Sequence, residues 1–176
     1  MIETDRLFLE PLSLKHLSQS YTNWFNDEEV CRYNRHNAGG YTIEKTKSYI
    51  KSIENRSDIK VFAIIEKISS LHIGNIAIQK IDYQNRHADI SIIIGEKKCW
   101  GKGYAKEAYR SIFAYGFKTL KMHKLYIGTS QENIAMQNVA KSLKMSFDGV
   151  LRDQIYKNNK FSDILIYSIL VDEFEK

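Results

Sequence analysis

A glycine-containing turn between an aliphatic segment and an amphipathic segment is the feature that most limits how this chain can fold. Residues 90–95 are almost wholly aliphatic, and residues 105–113 have the apolar spacing of a helix. The turn contains Trp100, Gly101, Lys102, Gly103, Tyr104 and Ala105. Backbone N–H groups at such a helix start are unpaired and lie at the positive end of the helix dipole, where they can bind an anion. The turn therefore predicts a phosphate-binding site, although an ordinary glycine-rich entry into a helix has the same pattern.

The length and composition of the chain indicate one globular domain that spans residues 1–176. The 176 residues are 43% hydrophobic and 27% charged, and Pro11 is the only proline. No repeat, linker or low-complexity tract divides them. No segment is apolar enough to cross a bilayer or to act as a secretory signal, so we expect a cytoplasmic protein without a membrane partner.

The cysteines and the charge exclude some classes of site. Neither Cys31 nor Cys99 lies in a C-x-x-C or His/Cys spacing typical of metal sites, so no metal is expected. Both are interpreted as free structural thiols, with a reactive thiol at Cys99, beside three lysines, as the alternative. The formal charge of +5 is modest and lacks the dense basic stripe of a nucleic-acid-binding protein. It could serve an anionic cofactor or substrate, or it could simply be a solvated surface.

The pattern of apolar residues predicts an α/β chain with a mixed, mostly antiparallel sheet flanked by helices. Helices are predicted over residues 13–25, over residues 43–53 after a Thr42 cap, from about 105 to 120, and from Asn133 to about 143. The predicted strands are residues 7–9, 61–65, 72–78, 88–94 and 124–128, followed by a hairpin over 147–170 that turns at 157–160. The strand–helix–strand unit around the glycine turn requires one parallel pair of strands.

The chain resembles the GNAT superfamily of N-acetyltransferases, and within it the branch that acetylates ribosomal-protein N-termini. The matching segments are residues 2–7, 81–90, 100–108, 133–141 and 147–153. The segment 100–108 is similar to the coenzyme A motif of the family and is the most specific of them. The order and spacing of all five segments carry the resemblance.

The resemblance implies a sheet that splays apart between its fourth and fifth strands, with acetyl-CoA in the opening. It places the pyrophosphate on the backbone amides of residues 102–105 and the pantetheine arm beside Ile92, Ile93 and Ile94. A main-chain N–H of that strand would bind the acetyl carbonyl and stabilise the oxyanion. Asn133 is expected to hold the coenzyme A arm, to cap its helix, or to do both. Relatives that use a tyrosine as general acid carry it where this chain has Ala140.

Direct acetyl transfer needs a neutral amine near the thioester and a group that takes its proton. A protein α-amino group has a pKa of roughly 7.7–8.0 and needs little help at neutral pH, whereas a lysine amine is near 10.4. Asp89 lies where many relatives place a catalytic glutamate, so it is the predicted base. A solvated carboxylate or an ion pair with Arg86 is the alternative interpretation, and Glu96 is a weaker candidate for the base.

The segment around residues 24–36 is unusually rich in aromatic and charged residues and is predicted to bind the acceptor. The candidate acceptor-binding residues are Trp24, Asp27, Glu28, Arg32, Tyr33 and His36, with Glu29 and Arg35 as further charged groups. The alternative is a helix end packed by its aromatic residues, with the charges in water. The segment also resembles that of acetyltransferases acting on nucleotide-linked amino sugars, and its basic residues would suit a diphosphate.

Two functions follow. The first is an acetyl-CoA-dependent N-acetyltransferase that acts on a primary amine, which could be a protein N-terminus or a small molecule. The second is a non-catalytic domain that binds acyl-CoA as a sensor or as an interaction module. The C-terminal hairpin could pack against its own sheet or against a second copy in a homodimer.

Overall fold

An eight-stranded sheet forms the centre of the protein. The computed structural model describes residues 1–34, 36 and 39–174. The strands are β1 (Ile2–Glu3), β2 (Leu7–Pro11), β3 (Ile59–Glu66), β4 (Leu71–Asp82), β5 (His87–Ile94), β6 (Lys124–Ser130), β7 (Ser146–Lys157) and β8 (Lys160–Leu170). Their order is β1-β2-β3-β4-β5-β6-β8-β7. Only the β5–β6 pair is parallel among these strands, which confirms the predicted mixed sheet.

Six α-helices and two short 3₁₀ turns accompany the sheet in the described part of the chain. The helices are α1 (Gln19–Trp24), α2 (Glu28–Cys31), α3 (Ile43–Ile53), α4 (Tyr104–Lys118), α5 (Ile134–Ser142) and α6 (Val171–Phe174). The 3₁₀ turns are Leu14–His16 and Lys97–Cys99. Thr42 caps α3 and Asn133 caps α5, and each side chain accepts a hydrogen bond from a backbone N–H in the first turn, as predicted.

The single helix predicted over residues 13–25 is wrong. The 3₁₀ turn ends at His16, Leu17 is extended (φ −65°, ψ 119°), and α1 begins as a separate helix at Gln19. Ser18 is the N-cap of α1, and its side chain accepts a hydrogen bond from the Tyr21 N–H. A serine side chain competes in this way for backbone donors and favours a helix start over a helix interior.

Each face of the sheet packs against its own hydrophobic core. On one face, α4 buries Tyr109, Ile112 and Phe113 against the sheet, and each is at most 2% exposed. On the other face, α1 and α3 bury Tyr21 and Ile50 in a second core. Burial of an aliphatic or aromatic side chain of this size contributes about 1.5–3 kcal/mol, so both helix layers are firmly held.

The hairpin that joins β7 to β8 turns where it was predicted to turn. Its two connecting residues, Asn158 and Asn159, have φ values of 51° and 57°. Two successive residues with positive φ define a type I′ turn, whose twist matches that of the flanking strands, and asparagine tolerates this conformation.

The parallel pair of strands separates part-way along its length. β5 and β6 are in register at only three positions, of which Asp89↔Tyr126 is the last. Both strands continue beyond it, β5 to Ile94 and β6 to Ser130. The predicted splay therefore begins after Asp89, and the following residues of β5 present a free edge. β5 and β6 correspond to the fourth and fifth strands predicted from the sequence, because the short β1 is not among the predicted strands.

Candidate active site

The N-terminus of α4 presents a group of free backbone donors. Gly103 is the N-cap and is left-handed (φ 81°), as is Gly101 (φ 73°). Within the described part of the chain, no hydrogen bond uses the N–H groups of Tyr104, Ala105 or Lys106. Because Gly103 has no side chain to cap them, these donors remain available at the positive end of the helix dipole. The geometry is that of an anion-binding cradle.

A buried hydrogen bond ties the start of α4 to the sheet. The Tyr104 hydroxyl donates to Oε1 of Glu66 at 2.6 Å, and the Ser69 hydroxyl donates to the other carboxylate oxygen. The bonds from Ser69 and Tyr104 lower the pKa of Glu66, and the carboxylate in turn raises the pKa of Tyr104. Glu66 therefore stays ionised and holds the first residue of the helix in place.

Arg6, in the N-terminal segment, contacts the same turn and stabilises it. Its Nη1 donates to the Lys102 carbonyl (2.9 Å), and its Nε pairs with the Glu107 carboxylate (2.7 Å). Its guanidinium carbon lies 4.6 Å from the centre of the Tyr104 ring. The ion pair neutralises the one carboxylate in the first turn of α4, which would otherwise repel an anion. The sequence did not single out Arg6, Glu66 or Glu107, because these partners are far apart in the chain.

The free edge of β5 supplies further donors beside the cradle. The Gly95 N–H donates to the Ile73 carbonyl of β4 (2.9 Å). Successive residues of a strand direct their N–H groups to opposite sides. The N–H groups of Ile92 and Ile94 therefore face the opening between β5 and β6, and that of Ile93 faces β4. The Ile94 carbonyl is occupied by the indole N–H of Trp100 (2.8 Å). Of the three predicted isoleucines, two therefore present backbone groups to the opening.

Asp89 lies at the point where β5 and β6 separate. It is 9% exposed. Its Oδ2 accepts hydrogen bonds from the Lys80 ammonium (3.0 Å) and from the Gln79 amide (3.3 Å). The alternative partner considered from the sequence, Arg86, instead donates to the Lys121 carbonyl. The predicted base thus lies where β5 and β6 separate, a point that we call the fork. Lys80 is a neighbour that the sequence did not indicate.

Two of the predicted acceptor-binding residues serve as packing and capping residues. Trp24 is 4% exposed, and a Cβ on Gly95 would lie 1.9 Å from its indole, so the ring packs directly on the β5 backbone. Its Nε1 donates to Glu96 (3.2 Å). Asp27 caps α2 and pairs with Lys97 (2.7 Å), which lowers the pKa of Asp27. These contacts join α1 and α2 to the loop before the cradle.

The charged residues near the cradle, Lys97, Lys102 and Glu96, differ in their partners. Lys97 is committed to Asp27 and Glu29, whereas Lys102 is exposed and forms no ion pair among the described residues. The Glu96 carboxylate accepts a hydrogen bond from the Ser20 hydroxyl (2.7 Å), which lowers the pKa of Glu96. Glu96 is therefore bound to α1 rather than free to act as a base.

Two of the remaining acceptor candidates, Arg32 and Tyr33, line a cleft of about 180 Å³ between the end of α2 and the β7–β8 hairpin, which we call the hairpin cleft. Arg32 and Tyr33 line one wall, Lys157 and Lys160 line the other, and Ser130 lies at the end of β6.

The other candidates lie outside this lining. His36 bonds to the Tyr41 hydroxyl (2.6 Å) and packs on Phe25, and Glu28 is exposed. Arg35 lies outside the described residues.

The helix that follows the opening offers no acid at the position noted in the sequence. Ala140 is fully buried in the core. The Tyr109 hydroxyl of α4 donates to the Met136 sulfur of α5 at 3.9 Å, and burial raises the pKa of Tyr109. Neither residue can readily donate a proton to a group in the opening.

The profile of the Acetyltransferase (GNAT) domain family matches residues 6–146. The chain belongs to the GNAT acetyltransferase family. The uncharacterized N-acetyltransferase p20 of Bacillus licheniformis is 29% identical over 175 residues, which cover 97% of this chain and 96% of p20. Spermidine N(1)-acetyltransferase of Escherichia coli K12 is 24% identical, over 85% of this chain and 78% of its own.

The fold is also that of solved acetyltransferases. A structure of Vibrio cholerae spermidine N-acetyltransferase in complex with CoA and spermine superposes with a TM-score of 0.89, covers 98% of this chain and 100% of its own, and is 20% identical. The family match and the N-acetyltransferase relatives together show that the protein is an N-acetyltransferase with acetyl-CoA as co-substrate.

Two features of the acetyltransferase fit this co-substrate. The free N–H groups at the start of α4 suit a pyrophosphate, and the free edge of β5 suits the amides of the pantetheine arm. Among the described residues, no cluster of three or more metal-ligating side chains occurs. No helix in that part of the chain is both long and apolar enough to cross a membrane.

Proposed function

We propose that this acetyltransferase transfers the acetyl group of acetyl-CoA directly to a primary amine, with Asp89 as the base. The observation that carries the proposal is the position of Asp89 at the fork of β5 and β6, next to the free edge of β5. An amine that approaches the fork comes within reach of the carboxylate and of the thioester together. Acetyl-CoA supplies an activated acyl group, and the chain supplies position and a proton acceptor.

The residues of the chain have distinct roles in this proposal. The N–H groups of Tyr104 and Ala105, together with the Lys102 side chain, hold the pyrophosphate. The N–H groups of Ile92 and Ile94 align the arm and polarise the acetyl carbonyl. Asp89 takes the amine proton, directly or through a water molecule, as the new C–N bond forms and the C–S bond breaks.

The departing sulfur leaves as a thiolate in this scheme. Ala140 replaces the tyrosine that would protonate it, and the Tyr109 hydroxyl is buried in the core. A thiol has a pKa of roughly 8.5, so its anion leaves readily without an acid. The absence of a hydroxyl at residue 140 is therefore compatible with turnover.

The acceptor is a primary amine, either on a small molecule or at a protein N-terminus. The E. coli and V. cholerae relatives named for spermidine support a small amine. The membership in the N-terminal acetylating branch, the homodimer and the cytoplasmic location stay predictions.

The proposal is tested by measuring thiol release from acetyl-CoA with a panel of amines, alongside calorimetry with CoA. We expect binding of CoA and turnover with at least one amine. Tight CoA binding without turnover on any amine would favour the acyl-CoA sensor. A folded protein with no affinity for CoA would overturn the proposal altogether.

A further inference from the structure

The hairpin cleft carries more positive than negative charge. Its lining contains the basic residues Arg32, Lys157 and Lys160 and one carboxylate, Glu132. Glu132 is already paired with Lys160 at 2.8 Å. Arg32 and Lys157 therefore remain without a carboxylate partner among the described residues. A site lined in this way favours an anion.

Lys157 reaches across the cleft and fixes its opposite wall. Its ammonium donates to three backbone carbonyls, those of Cys31 (2.6 Å), Asn34 (3.0 Å) and His36 (2.6 Å). These bonds use its three N–H donors but leave its charge uncancelled. The segment that follows α2 is thereby fastened to the hairpin, so the position of Arg32 is set by a contact more than 100 residues away.

Arg32 is the cation of the lining that is available to a ligand. Its side chain is exposed, and its guanidinium lies over the Tyr33 ring, 5.9 Å from the ring centre. It forms no ion pair within the described residues. Asn34, Asn158 and Ser162 add neutral donors around it. A guanidinium with such neighbours matches the oxygens of a phosphate group.

The cleft lies at a defined distance from the reacting atoms. Ser130 in its lining is the last residue of β6, and Tyr126 of the same strand pairs with Asp89 at the fork. Four residues of a strand span roughly 13 Å. An acceptor that fills both places therefore has its amine and its anionic group separated by a distance of that order.

We propose that the hairpin cleft binds a phosphate or diphosphate group of the acceptor, and that Arg32 determines this specificity. The inference rests on the proposed function and narrows it to amines with a phosphate at the far end of an extended molecule. A polyamine is a poor acceptor on this view, because its cationic chain would meet two uncancelled positive charges. The expected acceptor of this protein therefore differs from the polyamine for which its spermidine-named relatives are named.

The first experiment compares acceptors that differ in the phosphate. An amino sugar linked to uridine diphosphate is compared with the methyl glycoside of the same sugar and with spermidine, by thiol release. We expect kcat/KM for the diphosphate acceptor to exceed the other two by about tenfold or more, and the advantage to shrink with added salt. Equal or better turnover of spermidine or the glycoside would overturn the proposal.

The second experiment removes the positive charge of Arg32. Arg32→Gln should raise KM for the diphosphate acceptor by about tenfold with little change in the Kd for CoA, and Arg32→Lys should restore part of the loss. Lys47→Gln, on the exposed side of α3, is the matched control and should behave like the wild type. A KM that is unchanged in Arg32→Gln would contradict the assignment.

A direct binding measurement separates this inference from the reaction. Uridine diphosphate is titrated by calorimetry into protein saturated with CoA, so that the cradle on α4 is already filled. We expect binding by the wild type and a loss of about tenfold in Arg32→Gln. Absence of binding overturns the inference about the cleft even if an amine is acetylated, whereas binding without turnover overturns only the catalytic proposal.

Discussion

The hydroxyl of Tyr104, the first residue of α4, donates a 2.6 Å hydrogen bond to the Glu66 carboxylate at the end of β3. Both residues are at most 7% exposed. The bond therefore sets where the free N–H groups of the helix point relative to the sheet. The cradle depends on this contact as much as on its glycines.

Tyr104→Phe tests that dependence. The substitution leaves one Glu66 oxygen without its donor, which costs about 1–3 kcal/mol of stability. We expect CoA to bind several-fold more weakly as well, because the helix start loses its anchor. Urea unfolding and calorimetry measure the two effects. Tyr115→Phe is the control, since the Tyr115 hydroxyl has no hydrogen-bond partner among the described residues. Equal effects of the two substitutions would contradict the argument.

Glu66 also predicts a pH dependence of stability. Its pKa is lowered in the folded protein, by the Ser69 bond first and then by Tyr104. The carboxyl group of the unfolded chain has a pKa of about 4.3, and ionised Glu66 stabilises the fold fully at pH values above it. This contribution disappears as the pH falls through the lower pKa of Glu66 in the folded protein.

The measurement compares the wild type with Glu66→Gln. The amide can still accept the Tyr104 bond but cannot ionise. We expect the difference in the free energy of unfolding between the two proteins to shrink steadily from about pH 6 to pH 3. A difference that stays constant over this range would show that the ionisation of Glu66 contributes nothing.

Gly103→Val addresses the cradle itself. Gly103 has a φ of 81°, which a β-branched residue adopts only at a cost of about 1–2 kcal/mol or more, so the turn should shift and its donors should diverge. We expect the affinity for CoA to fall by about tenfold or more. Gly149→Val is the matched control, because Gly149 also has a positive φ (152°) but lies on the distant strand β7. Comparable losses in both variants would point to general destabilisation instead.

The elements that carry a local pattern were predictable from the sequence. The strand–turn–helix unit at residues 90–105 and the turn at Asn158 follow from hydrophobic period and turn chemistry, which are properties of neighbouring residues. The break before Ser18 was not predicted, because the apolar residues of segment 13–25 keep helical spacing across it. Only the serine marks the start of a new helix.

Long-range contacts were not predictable in the same way. Nothing local indicates that Arg6 braces the cradle, that Lys157 holds the segment after α2, or that Lys80 pairs with Asp89. Trp24 and Asp27 were interpreted as acceptor-binding residues because aromatic and charged types are common in binding sites. Their contacts with Gly95 and Lys97, about 70 residues further along the chain, were not predictable from these residue types, and acceptor binding by Trp24 and Asp27 stays a prediction.

Asp89→Asn is the decisive substitution for the chemistry. The asparagine oxygen can still accept the hydrogen bonds from Lys80 and Gln79, so the fork should keep its geometry, but the side chain can no longer take a proton. If Asp89 is the base, kcat/KM for the amine should fall by about tenfold or more while the Kd for CoA changes little.

The matched control is Asp82→Asn, which removes a carboxylate from the last residue of β4 and leaves the fork intact. It should retain the wild-type rate. The pH–rate profile of Asp89→Asn supplies a second readout, because loss of a base changes the shape of the profile as well as its height. An unaltered rate and profile in Asp89→Asn would assign proton removal to solvent, and the carboxylate would then serve only to hold Lys80 and Gln79 at the fork.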